Sequence, residues 1–315
     1  MKVGLFVSCN KGYIPYLNAL LNSIEKRNIH IGVDFELVLV YYDFLDDYLE
    51  AITDFPFKIR AIKLDTEEIA AETRWSNSNI TKSGRYYYMK KMGRDYDVAC
   101  LMDADLFYVS ENFKNYFQLI NGTDLMINCN ERFKWNMGPK HTLNEQPIFE
   151  SQTRLNKFHC NTPMVLVPEH WEDVIDYYMS IVYRAKEEQQ KDGETIFKDV
   201  GDIFSWNIAV QKMGKTDKVV LFPMEALTQV HQTSFKQWTE LKCENGFWTT
   251  FSGEEVLCLH GRCGTKGFGK FDYEKIGCTE KKAEQIIDLY KREWYDLNFF
   301  QRLKLNEFGP VNEYW

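Results

Sequence analysis

LMDADLFYV, residues 101–109, sets two aspartates, Asp103 and Asp105, directly behind an apolar run. The flanking Leu101, Met102, Leu106, Phe107, Tyr108 and Val109 are strand residues by type, and Val98 to Leu101 extend the run upstream. Carboxylates are seldom buried without a partner. Read as one strand, the stretch points Asp103 and Asp105 to one side and Ala104 to the other, because side chains alternate. Two like charges that close repel unless a cation lies between them. The stretch is therefore either a strand end running into solvent or a divalent-metal site at the mouth of a sheet.

The surrounding pattern selects the kind of sheet. Val3 to Val7 reads as a buried strand, followed by a turn over Ser8-Cys9-Asn10-Lys11-Gly12. Tyr16, Leu17, Leu20, Leu21 and Ile24 recur at helical spacing. Phe35 to Tyr42 and Phe57 to Leu64 read as strands, residues 83–92 as a helix with Ser83 near its start, and Asp97 to Leu101 as the strand that leads to the aspartates. Strands alternating with helices, with the acids at a strand end, predict an α/β fold with a mostly parallel sheet flanked by helices. Ligands bind such sheets beyond the carboxyl ends of the strands, where both the Ser8–Gly12 turn and Asp103/Asp105 fall.

Farther along, residues 128–160 read as loop and Met164 to Val167 as a short strand. Trp171 to Arg184 suits a helix with Trp171, Val174, Ile175, Tyr178 and Ile181 on one face. Another helix begins at Asp202, and Val256 to Leu259 reads as a strand. From Glu280 a long amphipathic helix carries Ile286, Ile287, Tyr290, Trp294, Leu297 and Phe300. No internal repeat or linker divides the chain, so the expected organisation is one catalytic domain over residues 1–271 and a C-terminal helical extension over 272–315.

The 315 residues are 44% hydrophobic and 27% charged, enough for a large core. A net charge of −8 argues against a nucleic-acid partner, which would need a broad basic surface. An acidic protein that holds a diphosphate needs a metal and a few well-placed cations. The start MKVGLFVSCN has no leader pattern, and no apolar run approaches the roughly 18 residues that span a bilayer. None of the eight cysteines forms a CxxC pair, and Cys9, Cys100 and Cys258 fall in strands. They read as reduced and structural, giving a cytoplasmic expectation; the aromatic C-terminal helix admits contact with a membrane surface, though its balanced charges favour packing within the chain.

HGRCGTKGFGKF, residues 260–271, is the second informative stretch. His260 follows an apolar strand, and glycines at 261, 264, 267 and 269 surround Lys266. A neutral imidazole completes a manganese-type site begun by two carboxylates. Glycines let backbone approach phosphates, and a lysine neutralises them. The plain alternative is a flexible glycine loop.

Taken together, these stretches resemble GT-A-fold glycosyltransferases, and among them glycosyltransferase family 8. Asn10 and Tyr13 in SCNKGYIPYL resemble that family's nucleotide-binding segment. Arg85 lies 18 residues before Asp103, as a donor-contacting Arg does there, and Asp103-Ala104-Asp105 matches its DxD motif. Asn161 in CNTPMVLV resembles its Asn-Ala-Gly segment, Asp202 and Asn207 keep its Asp-x4-Asn spacing, and His260 to Lys266 keeps its step from metal His to phosphate Lys. The sequence departs from the pattern at Ile203, at Thr162-Pro163 and at Gly267-Phe268.

The resemblance implies a metal-dependent, retaining transfer of a sugar from a nucleotide-sugar donor, a UDP-sugar, to a glycan or glycoconjugate acceptor. It implies Mn2+ or Mg2+ on Asp103, Asp105 and His260. Ser8, Cys9, Asn10, Tyr13, Arg85, Ala104, Asn161, Gly264 and Lys266 would contact the donor, and Asp202, Arg85 and Lys266 would serve the chemistry. Two rivals remain: a sugar-nucleotide nucleotidyltransferase, disfavoured because the first turn offers only Lys11 and Gly12, and a non-catalytic glycan-binding protein of the same fold.

Overall fold

The computed structural model describes residues 1–43, 46–64, 77–130, 142–143, 146–147, 160–180, 202–221, 227–229, 241–245, 247–250, 253 and 255–260. In chain order the elements are β1 (Lys2–Asn10), α1 (Ile14–Lys26), β2 (Asp34–Tyr42), α2 (Asp46–Ala51), β3 (Lys58–Lys63), α3 (Asn77–Met92), β4 (Val98–Asp103), β5 (Leu106–Tyr108), α4 (Asn115–Ile120) and β6 (Met126–Asn130). There follow β7 (Thr142–Leu143), β8 (Gln146–Pro147), β9 (Cys160–Leu166), α5 (172–180), α6 (Asp202–Lys212), β10 (Val219–Leu221), β11 (Leu227–Gln229), β12 (Leu241–Glu244), β13 (Phe247–Thr250) and β14 (Cys258–His260).

Seven strands form the main sheet in the order β10-β6-β9-β4-β1-β2-β3. All neighbours are parallel except β9, which runs against both β4 and β6. A second sheet, β11-β14-β5, sets β14 antiparallel to β5 with His260 opposite Leu106.

Apolar residues on successive positions of the central strands bury both faces, as parallel sheets require. On one face Val3, Leu5, Val7 and Cys9 meet Leu17, Leu20, Leu21 and Ile24 of α1. Each such aliphatic side chain contributes about 1.5–3 kcal/mol by leaving water. On the other face Phe6, Ala99 and Leu101 meet Tyr86 and Met89 of α3, Trp171 just before α5, and Val174, Ile175 and Tyr178 of α5. At the amino ends of the strands Glu36 is 6% exposed yet well partnered. Arg60 donates to it through Nε at 2.8 Å and Nη2 at 3.1 Å, and Tyr96 through its hydroxyl at 2.7 Å. Gly4 admits the Tyr96 ring, since a Cβ there would stand 2.9 Å from it.

The α/β expectation holds, and several boundaries move. β1 continues through Asn10, paired with β2 as far as Tyr42, so Ser8 to Asn10 are strand and the turn is the short 3-10 segment Lys11–Tyr13. α3 begins at Asn77, six positions before Ser83; its polar first turns carry no apolar period that would mark the start. β6 occupies residues 126–130, partly inside the stretch expected as loop, and β9 begins at Cys160 rather than Met164. The strand expected over 256–259 lies at Cys258–His260. The run 101–109 is two strands, with Ala104 and Asp105 in a turn between them, so alternation along one strand does not relate the two aspartates. The helix expected from Glu280 and the boundary at 271/272 lie outside the described residues. Among the described residues, no helix is long and apolar enough to cross a membrane.

Candidate active site at the carboxyl ends of β1, β2 and β4

Ser8 of β1 stands beside Asp103 of β4 in the parallel register. The two adjacent strand ends support different tasks. Ser8 Oγ accepts a hydrogen bond from the backbone N of Arg85 at 2.6 Å, tying α3 to the sheet. Gly84 allows that approach: a Cβ there would meet Leu64 Cδ1 and Val40 Cγ1 at 3.0 Å each. The helix therefore lies close enough for Arg85 to reach over the end of β4.

Arg85 is 1% exposed. Its Nη1 donates to the Met102 carbonyl at 2.7 Å and to Asp103 Oδ1, and its guanidinium carbon lies 5.2 Å from the Tyr86 ring centre. A second donor, the Thr162 hydroxyl on β9, bonds Asp103 Oδ2. The first aspartate thus has both oxygens engaged, by a buried cation and a buried hydroxyl. Two like-charged acids can coexist here because one of them already has its counter-charge.

The second aspartate belongs to the turn. Asp105 is 8% exposed, and Ala104 before it is 4% exposed. The Cys9 thiol, in the core beneath β1, has its pKa pushed well above the ordinary value, by burial first and then by the carboxylates of Asp105 and Asp43. Cys9 turns its side chain into the core at 1% exposure, so a ligand can meet only its backbone. Asp43, at the end of β2, accepts from the Lys11 amide at 2.9 Å and fixes the turn after Asn10. The sequence reading did not single out Asp43, and it met Thr162 only as a departure from Asn-Ala-Gly, not as a site residue.

The remaining expected residues fall around this point. Asn10 ends β1, and Tyr13 closes the 3-10 turn that leads into α1. His260 ends β14 opposite Leu106, so the antiparallel register brings its backbone next to the residue following Asp105. Asn161 lies in β9 opposite Cys129, and Asp202 is the first residue of α6. α6 is seated by Trp206, whose ring lies 5.3 Å from Tyr86 of α3 and 5.9 Å from Tyr178 of α5. The helix that opens at Asp202 thereby packs beside the helix that carries Arg85. Asn207 is 3% exposed. The side chains of Asn161, Asp202 and His260, and all of Gly264 and Lys266, lie outside the described residues.

Carboxylates such as those of Asp103 and Asp105 are oxygen donors of the type that suits Mn2+ or Mg2+, and the register of β14 brings the backbone of His260 opposite Leu106, next to Asp105 in sequence. Among the described residues, no group of three His, Cys, Asp or Glu side chains forms a metal cluster.

No protein-family profile matches the chain, and no curated protein matches it in sequence. Solved structures do match in three dimensions. The galactosyltransferase LgtC, in complex with donor and acceptor sugar analogs, superposes with a TM-score of 0.55 at 15% identity, over 90% of this chain and 96% of that one. An active-site mutant of LgtC gives 0.53 at 16% identity, over 93% and 96%. The bifunctional glycosyltransferase WbbM gives 0.55 at 13% identity over 94% of this chain, which spans 51% of WbbM. At these identities the likeness is one of fold: the chain has the GT-A fold of these glycosyltransferases.

Proposed function

We propose that the protein is a divalent-metal-dependent glycosyltransferase that moves a sugar from a nucleotide-sugar, a UDP-sugar, to a hydroxyl of a glycan or glycoconjugate, with retention at the anomeric carbon. One observation carries the reading. The Asp-Ala-Asp turn lies at the carboxyl end of β4 in a GT-A sheet, and its first carboxylate is held by a buried arginine. A strand end in the middle of a parallel sheet is where such folds bind nucleotides.

Asp103, Asp105 and His260 would hold the metal. When bound, the ion supplies Lewis-acid neutralisation of the diphosphate. Arg85 orients Asp103, and Lys266 would add positive charge where the leaving diphosphate gains negative charge. Ser8, Asn10 and Tyr13, at the β1 end and in the turn after it, would contact the nucleoside. Asp202 would serve the transferred sugar or the acceptor hydroxyl.

The nucleotidyltransferase rival needs a glycine-rich loop after the first strand. Here β1 runs unbroken to Asn10 and passes through three residues into α1, which leaves no room for one. The deciding experiment is a panel of nucleotide sugars scored for Mn2+-dependent release of the nucleoside diphosphate. Release from one donor supports the transferase. Release from none, with glycan binding retained, supports the non-catalytic alternative.

A further inference from the structure

The proposed site contains a side chain whose type nothing in the core requires. Thr162 is fully buried, and its hydroxyl donates to Asp103 Oδ2. A hydroxyl at a dry position is unfavourable unless it is hydrogen-bonded, and valine would fill the same volume without that demand. The backbone around it is also irregular. β9 pairs with β4 only as far as Met164, opposite Leu101. Against β6 the register passes from Asn128–Met164 to Cys129–Asn161, so Thr162 and Pro163 are extra residues in a bulge. Bulges beside ligand sites re-aim side chains. This one aims Thr162 across the sheet at the end of β4.

We propose that Thr162 is a positioning residue for Asp103, acting as a pair with Arg85. Arg85 holds Oδ1 from α3, and Thr162 holds Oδ2 from β9. Two elements that do not touch Asp103's own strand end through backbone pairing thus fix the plane of its carboxylate. A carboxylate has about four acceptor positions. The two donors engage one position on each oxygen. Asp103 is therefore oriented before a metal arrives, and no ordering of that side chain remains to oppose binding. The inference rests on the metal-site reading above and adds a residue to it.

The test is Mn2+ uptake followed by electron paramagnetic resonance with UDP present, on the parent, Thr162→Val and Thr162→Ser, with circular dichroism to confirm folding. Thr162→Val should weaken Mn2+ binding by about 10- to 100-fold, the range typical when the partner of a metal-ligating group is lost. Thr162→Ser keeps the hydroxyl and should bind as the parent does. In an Asp103→Ala background, Thr162→Val should change nothing further. Should the valine variant fail to fold, Thr162→Ala removes the hydroxyl with less bulk and should show the same loss. A parent that takes up no Mn2+ with UDP overturns the functional reading itself. A parent that binds while Thr162→Val binds equally, or while Thr162→Ser loses as much as Thr162→Val, overturns the role of Thr162 alone.

Discussion

Asp103→Ala, measured without metal, should destabilise the protein. The expectation is not obvious, because deleting one of two neighbouring acids would relieve repulsion if the acids faced only each other. Asp103 instead faces Arg85, whose side chain is 2% exposed while that of Asp103 is 22% exposed. Removing one partner of a buried ion pair costs about 3–5 kcal/mol, because the other charge is left without compensation. Arg85 keeps its bond to the Met102 carbonyl at 2.7 Å, which places this case at the lower end, about 3 kcal/mol. For a chain of 315 residues about 3 kcal/mol lowers Tm by roughly 4–6 °C. The assay is denaturant and thermal unfolding in EDTA, followed by tryptophan fluorescence. The double variant Arg85→Met/Asp103→Ala should be more stable than the sum of the two single losses, by about 1–3 kcal/mol, because it removes both charges. An Asp103→Ala protein that melts at or above the parent temperature, or strict additivity in the double variant, would refute the reasoning.

Other expectations follow from particular contacts. Burial pulls the Glu36 pKa up, and Arg60, Tyr96 and Lys2 together pull it down further, so the folded value lies below the ordinary one. Its stabilisation is complete above the unfolded pKa of about 4.3 and fades as pH falls through the folded value. Glu36→Gln should therefore cost about 2 kcal/mol in urea unfolding near neutral pH, with the gap to the parent closing as pH drops below about 4; a gap independent of pH would contradict this. Gly84→Ala gains about 1 kcal/mol of helix propensity but overpacks Val40 and Leu64 by about 1–3 kcal/mol. It should change stability little and weaken Mn2+–UDP binding, because Arg85 is displaced; unchanged binding would show that the close approach of α3 is not needed. Asp202→Asn should lower turnover severely while proton NMR of the fresh product shows the donor's anomeric configuration retained; an inverted product would make Asp202 a general base.

What the sequence made legible was the part governed by local pattern. Apolar runs broken by turns gave the central strands and α1, because parallel strands buried on both faces leave a strong signal. Asp103 and Asp105 stood out because paired acids after an apolar run are chemically conspicuous. The counter-charge did not: Arg85 reaches Asp103 from 18 positions upstream only because Gly84 and Ser8 seat α3 close to the sheet, a tertiary fact. Thr162 was legible only as a departure from Asn-Ala-Gly. Its role depends on a bulge in β9, and register shifts leave no reliable mark in a single sequence. The LMDADLFYV stretch misled in one respect, since strand-type residues on both sides concealed the turn at Ala104–Asp105.

The central claim is that this strand end holds a metal-bound nucleotide diphosphate. Isothermal titration calorimetry of UDP into the parent and Asp105→Ala proteins, each with Mn2+ and with EDTA, tests it most directly. The account predicts binding only to the parent and only with Mn2+. UDP binding of equal strength in EDTA, or in Asp105→Ala with its manganese dependence intact, would contradict it.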